Sequence, residues 1–171
     1  MFELLAVTGM RRSELLALLG RHVHLHGDRA HVKVRQRVRR RKGVGLVIGP
    51  LKSRYARRDL PIPLELAIRL AALGRGPDHL VFATLTGRML DRDNLHDRVL
   101  RPACIAAGVE WAGFHTFRHT VASRMFEAGR TAVAVQRWLG HHSASFTPDT
   151  YIHLIDDDLG EPLQPPAALR S

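Results

Sequence analysis

The chain has 171 residues, a single cysteine and a formal net charge of +10, from 26 Lys+Arg against 16 Asp+Glu. The lone Cys104 excludes an intramolecular disulfide, and so a disulfide-stapled secreted scaffold. No apolar run approaches the ~18–20 residues of a bilayer-spanning helix. A chain of this length buries a proper core without metal or disulfides, and its positive excess predicts an anionic partner, nucleic acid first.

Met1 to Leu19 has helical patterning, broken at Thr8-Gly9. Leu15, Leu16, Leu18 and Leu19 form the apolar face of the second piece, Ser13 and Glu14 help open it, and Gly20 closes it. Met1–Met10 is apolar but has no basic leader or cleavage site, so it does not read as a signal peptide. His22–Leu25 and Ala30–Val38 read as strands around a Gly27-Asp28 hairpin signal. In the second, Val32 and Val34 alternate with His31, Lys33 and Arg35, the period of a half-buried strand. Gly43, Gly45 and Gly49-Pro50 break the chain, and Asp59–Pro63 is a short extended exit ended by prolines. Helices follow at Leu64–Leu73, Asp91–Ala107 (Asp91 or Asp93 as cap, Gly108 as stop), His115–Ala128, Thr131–Leu139 and Pro148–Leu154. His79–Ala83 is a short buried segment. The residues from 160 onward, with three prolines, read as a loosely packed or disordered tail. The fold class is mainly α with a small antiparallel β-sheet (α+β).

The charge is local. Arg29 to Arg58 holds 12 of the 26 bases and no acid, which leaves 14 bases against 16 acids elsewhere. Phosphate contacts are the physical use of such a window, through Lys33, Arg35, Arg37, Arg39, Arg40, Arg41 and Arg54; the plainer reading is a solvated hairpin.

Five short stretches carry chemistry-bearing residues. Arg11 sits at a turn into a helix, where backbone N–H groups favour anions, and Glu14 one turn later can hold its guanidinium; a surface ion pair is the plainer reading. Lys52, placed in the turn of the basic hairpin, offers a mobile ammonium for a phosphate or a leaving group, or is simply solvated. His115 and Arg118 share a helix face at i, i+3, either as a proton-transfer and anion-binding pair or as a cap and a surface base. His141 follows Gly140 at a helix stop. Tyr151 is either a tethered core phenol or a covalent nucleophile.

His22, His24 and His26 alternate along one strand, which reads as a strand rim before it reads as a metal site. No HExxH or Cys/His spacing, phosphate-binding glycine loop, nucleophile elbow or clustered pair of metal carboxylates is present.

Taken in order, these stretches resemble the catalytic domain of tyrosine recombinases, the phage integrase family, from about Phe2 to Leu159. The matching segments are TGMRRSELLAL at 8–18, LKSRYARRDLPIP at 51–63, FHTFRHTVASRMFEAG at 114–129 and VQRWLGHHSASFTPDTYIHL at 135–154. The resemblance implies catalytic roles for Arg11, Lys52, His115, Arg118, His141 and Tyr151, with Glu14 supporting Arg11. It implies a Tyr151 nucleophile that attacks a DNA phosphodiester, arginines that clamp its non-bridging oxygens, and a Lys52 that protonates the 5′-oxygen. It further implies a catalytic domain over 1–159 without its first helix and its separate core-binding domain. The implied partner is double-stranded DNA, with self-association into a tetrameric synapse. No cofactor, metal or membrane is implied, and the bacterial cytoplasm, at the nucleoid, is the implied location. An idle DNA-binding fragment and a type IB topoisomerase-like activity are the alternatives.

Overall fold

A computed structural model describes residues 1–25, 29–74 and 76–141. Helix α1 (Phe2–Thr8) packs against α6 (Phe114–Glu127), and α2 (Arg12–Leu15) leads into a short 3-10 turn at Gly20–His22. Strands β1 (Val23–His24), β2 (His31–Val34) and β5 (Arg58–Pro61) form one antiparallel sheet in the order β1-β2-β5. Strands β3 (Gln36–Arg41) and β4 (Gly45–Pro50) form a separate antiparallel hairpin. The remaining helices are α3 (Leu64–Leu73), α4 (Arg92–Leu95), α5 (Arg101–Ala106) and α7 (Ala132–Leu139). The α+β expectation holds.

The main core joins Leu4 and Leu5 of α1, Leu15, Leu16 and Leu18, Val32 and Val34 of β2, Leu60 of β5, and Leu66 and Leu70 of α3. Val121, Ala122, Val135 and Leu139 make a smaller cluster between α6 and α7. Gly9 joins the two. Its φ of 61° ends α1 in the left-handed region, and a Cβ there would meet Leu139 Cδ2 at 3.0 Å and Val121 Cβ at 3.1 Å. Only glycine satisfies both the torsion and the contact.

Three expectations change. The helix expected to reach Leu19 ends at Leu15. Leu15, Leu16, Ala17 and Leu18 are all buried, so no single helical stripe accounts for them. The chain extends instead, with the Val81 N–H donating to the Leu18 carbonyl at 2.8 Å and Leu19 bridging Leu80. The strand expected over Ala30–Val38 is two strands in different sheets, separated at Arg35. Arg35 turns back to the Arg58 carbonyl (3.0 Å) and to Asp59. Val32, Val34 and Val38 are buried at the same parity, so the alternation passes through the break unmarked. The glycine-rich stretch read as a break is mostly β4. Gly45–Pro50 pairs residue by residue with Gln36–Arg41, and the Arg39 side chain lies over Gly49, where any Cβ would collide with it.

The expected long helix over Asp91–Ala107 is one helical run of mixed hydrogen bonding. Asp91 Oδ1 caps it by accepting from the N–H groups of Asp93 and Asn94, both at 2.9 Å. A π-helical turn at His96–Leu100 precedes Pro102, which has no N–H to give to the previous turn. The helices at 64–73, 114–127 and 132–139 lie where expected, the last capped by Thr131 Oγ1 on the Ala134 N–H (3.2 Å). The Gly27-Asp28 hairpin signal, the helix expected at Pro148–Leu154 and the tail lie outside the described residues. No helix among the described residues is long and apolar enough to cross a membrane.

Candidate active site

The chain ends of α1, α2 and α7 meet the first turn of α6, and most of the expected site residues meet there. Arg118, one turn into α6, is buried. It donates from Nη1 to the Gly9 carbonyl (2.9 Å) and from Nη2 to the Leu139 carbonyl (2.6 Å). These bonds cross-link the ends of α1 and α7, which the surface-base reading did not foresee. Arg11 stands just before α2 and donates from Nη2 to the next carbonyl along, Gly140, at 3.3 Å. The two guanidinium groups therefore rest on consecutive carbonyls, and the following residue is His141. Gly140 has a φ of 68°, the left-handed stop that turns the chain out of α7 toward His141.

Glu14 holds Arg11 twice. Its Oε1 accepts from Arg11 Nη1 (3.0 Å), and its Oε2 accepts from the Arg11 backbone N–H (2.9 Å). Oε2 also accepts from Arg58 Nη2 at 2.9 Å, and Glu14 is almost wholly buried. Burial alone would raise its pKa; the charge and hydrogen bond of Arg58, then those of Arg11, outweigh this and hold it below the usual carboxylate range.

The histidines feel the same cations. Partial burial and the charges of Arg118, Arg11 and Arg58 push the His141 imidazole down to about 4, so it is neutral at neutral pH. His115, in the first turn of α6, is shifted down by desolvation, His119, Arg118, Arg12 and Arg11. Neutral imidazole retains one N–H donor and one acceptor nitrogen, which suits both a hydrogen bond to phosphate and a proton transfer.

Two cavities flank Arg11. The larger, about 500 Å³, reaches from Arg11, His115 and Arg118 to Arg12, Arg39 and Arg40. The smaller, about 380 Å³, holds Lys52 and Arg37 beside Arg11, Glu14 and Gly140. Lys52 is not in the hairpin turn as expected; that turn lies between Arg41 and Gly45, and Lys52 follows β4 on the way to β5. Lys52 thus lines the same cavity as Arg11.

The basic window divides. Arg37, Arg39 and Arg40 line the cavities, and Arg41 is exposed at the hairpin end. Arg54 stacks on the Tyr55 ring at 5.1 Å. Lys33 sits opposite Asp59 in the three-stranded sheet, and Arg35 pairs with Asp59; neither lines either cavity. Tyr151 lies outside the described residues, as does His26. His22 Nδ1 and His24 Nε2 are buried without a hydrogen-bond partner, and the His24 ring stacks on that of His31 at 4.7 Å. Among the described residues, no group of three or more His, Cys, Asp or Glu is arranged to hold a metal ion.

The sequence reading overlooked Arg58. It donates to Glu14, Ala56 and Trp138 from within β5. The available signal was parity: Arg58 shares the buried phase of Leu60 and Ile62, a place where an arginine persists only with partners.

Comparison with known proteins adds the family. Residues 1–157 match the phage integrase family. The chain belongs to the phage integrase family. It is 31% identical to tyrosine recombinase XerD of Pseudomonas aeruginosa over 90% of this chain and 48% of the relative. It is 28% identical to a XerC-like tyrosine recombinase of Caldanaerobacter subterraneus subsp. tengcongensis over 91% of this chain and 45% of the relative. The chain thus spans about half the length of these relatives. Among solved structures, it resembles the Tn1549 transposon integrase in complex with transposon right end DNA, with a TM-score of 0.71 and 21% identity over 86% of this chain and 51% of that one. It also resembles the XerA recombinase, with a TM-score of 0.64 and 24% identity over 90% of this chain and 50% of that one. The fold is therefore that of a tyrosine recombinase catalytic domain.

Proposed function

We propose that this chain is the catalytic domain of a site-specific DNA recombinase, cutting and rejoining strands through a phosphotyrosine intermediate. One observation supports it most: Arg118 and Arg11 dock on the carbonyls of Leu139 and Gly140, the two residues before His141. Arg11 lines both the cavity that holds His115 and Arg118 and the cavity that holds Lys52.

The Tyr151 oxygen attacks the scissile phosphorus in line, forming the P–O(Tyr) bond as the P–O5′ bond breaks. The phenol passes its proton to His115 as it attacks. Arg11 and Arg118 neutralise the charge that builds on the non-bridging oxygens, and the neutral His141 adds an N–H donor. Lys52 gives its proton to the departing 5′-oxygen. The phosphotyrosine keeps the energy of the broken linkage, so a 5′-hydroxyl from a partner strand reverses the step without ATP.

Double-stranded DNA is the substrate, in keeping with the DNA complexes of the Tn1549 integrase and of the XerH recombinase bound to difH. A lambda integrase dimer bound to a core site supports assembly of several copies on DNA. The DNA-facing set is Arg37, Arg39, Arg40, Arg41 and Arg54; Lys33 and Arg35 make outer contacts. The domain comprises residues 1–159, and its work is at bacterial chromosomal DNA in the cytoplasm.

The test is a library of nicked suicide duplexes with randomised arms, scored for protein–DNA adducts that survive denaturant. Adducts with the parent and none with Tyr151→Phe support the reading. Salt-sensitive binding with no adduct shows an idle DNA-binding module and contradicts it.

A further inference from the structure

Arg58 has no part in the chemistry above, yet it bonds to three of the segments that carry it. Its side chain is only 6% exposed, so it presents no surface to a DNA backbone. Nη2 donates to Glu14 Oε2 at 2.9 Å, Nη1 to the Ala56 carbonyl at 2.8 Å, and Nε to the Trp138 carbonyl at 2.6 Å. Each acceptor leads to a different functional group. Glu14 grips Arg11 by its backbone N–H and its guanidinium. Ala56 closes the short segment that begins at Lys52, and like Lys52 it lines the smaller cavity. Trp138 opens the three-residue path to His141, and the carbonyls on that path carry Arg118 and Arg11.

The surroundings are shaped to admit this guanidinium. A Cβ on Gly140 would lie 3.0 Å from Arg58 Nη1 and 3.1 Å from the Ala56 Cα. The bare glycine that turns the chain toward His141 thus also makes room for Arg58. A lysine could hold the charge beside Glu14, but one ammonium cannot address three acceptors from three segments in fixed directions, as a planar fork can.

We propose that Arg58 is a positioning residue for strand cleavage: through Glu14 it fixes the Arg11 guanidinium, and through the Trp138 carbonyl it fixes the turn that presents His141. The inference rests on the recombinase reading above. It separates Arg58 from a plain structural clip, because donors that stabilise a transition state work only when held in place before the reaction.

The experiment measures single-turnover adduct formation on the best suicide duplex from the library, with DNA affinity and thermal unfolding recorded in parallel. Arg58→Lys is the first variant. The doubly substituted Glu14→Gln/Arg58→Met is the second; it removes the buried ion pair as a whole and keeps the fold where the single change does not. Cleavage falls by about tenfold to a hundredfold, the scale of a displaced transition-state donor, while DNA affinity stays within about twofold of the parent. The decisive readout uses a duplex whose scissile phosphate is a neutral methylphosphonate. Arg11 has less charge to neutralise there, so the penalty of Arg58→Lys shrinks by about tenfold. An equal penalty on both duplexes, or parental cleavage by either folded variant, overturns the inference and leaves the recombinase reading standing. A parent that forms no adduct on any duplex overturns that reading and this inference with it.

Discussion

Glu14 meets two opposing demands. Burial disfavours its charge, while Arg58 and Arg11 require it. Removing one member of such a buried group leaves the others uncompensated, so Glu14→Leu is expected to cost about 3–5 kcal/mol at neutral pH by urea unfolding. The folded pKa lies below the unfolded one, so the carboxylate's contribution is complete above about 4.5 and is lost as pH falls through the folded value. The deficit of the variant therefore narrows below pH 4.5; a deficit unchanged down to pH 3 contradicts the network. His141, positive only when protonated, has the same sign of pH dependence. Its folded pKa, about 4 against 6.5, means that acidification from 6.5 toward 4 protonates the unfolded chain first and weakens the fold. Imidazole resonances of His141 followed by NMR are expected to titrate near pH 4 in the free protein and higher once a DNA phosphate offsets the arginines. A midpoint near 6.5 without DNA contradicts the placement of those cations. At this scale, residue type and order were legible in the sequence, but partnership was not. For Arg118 a surface base stood open beside the anion-binding role because nothing local shows that its acceptors are Gly9 and Leu139, which lie 109 and 21 residues away.

Elements were legible where burial follows one period. The helices 64–73 and 114–127 and the alternation in β2 are of this kind. The failures lie where periodicity carries no information. The buried run Leu15–Leu18 extends along Val81 after α2 ends. The parity shared by Val32, Val34 and Val38 hides a change of sheet at Arg35. Glycines in β4 read as breaks, although Gly49 is there to accept the Arg39 side chain. Gly9 shows that the same residue type also makes joints, since the contact of α1 with α6 and α7 depends on it. Gly9→Ala places a Cβ against Leu139 and Val121 at a φ of 61° and is expected to lower stability by about 1–2 kcal/mol for the torsion alone, with the contact adding to it. Gly43→Ala has a φ of 76° but meets nothing within 4 Å, so it isolates the torsional part. Equal losses for the two variants, read from urea midpoints, contradict the close packing assigned to Gly9.

Across the whole molecule, net charge and active site are organised around one another. The window 29–58 holds 12 bases and no acid, and its hairpin brings Arg37, Arg39 and Arg40 to the cavities on either side of Arg11. Replacing Arg37, Arg39, Arg40 and Arg41 with alanine is expected to flatten the dependence of log K on log salt by up to about 3.6, since each phosphate contact contributes roughly 0.9. An unchanged slope from binding titrations at several salt concentrations shows a hairpin that DNA does not meet. Covalent chemistry at Tyr151 leaves a linkage that can be mapped. The denaturant-resistant adduct is digested with protease and nuclease and its residual nucleotide is located by mass spectrometry. The expected product is a nucleotide joined through its 3′-phosphate to Tyr151. A nucleotide on any other residue, or one joined through a 5′-phosphate, contradicts it.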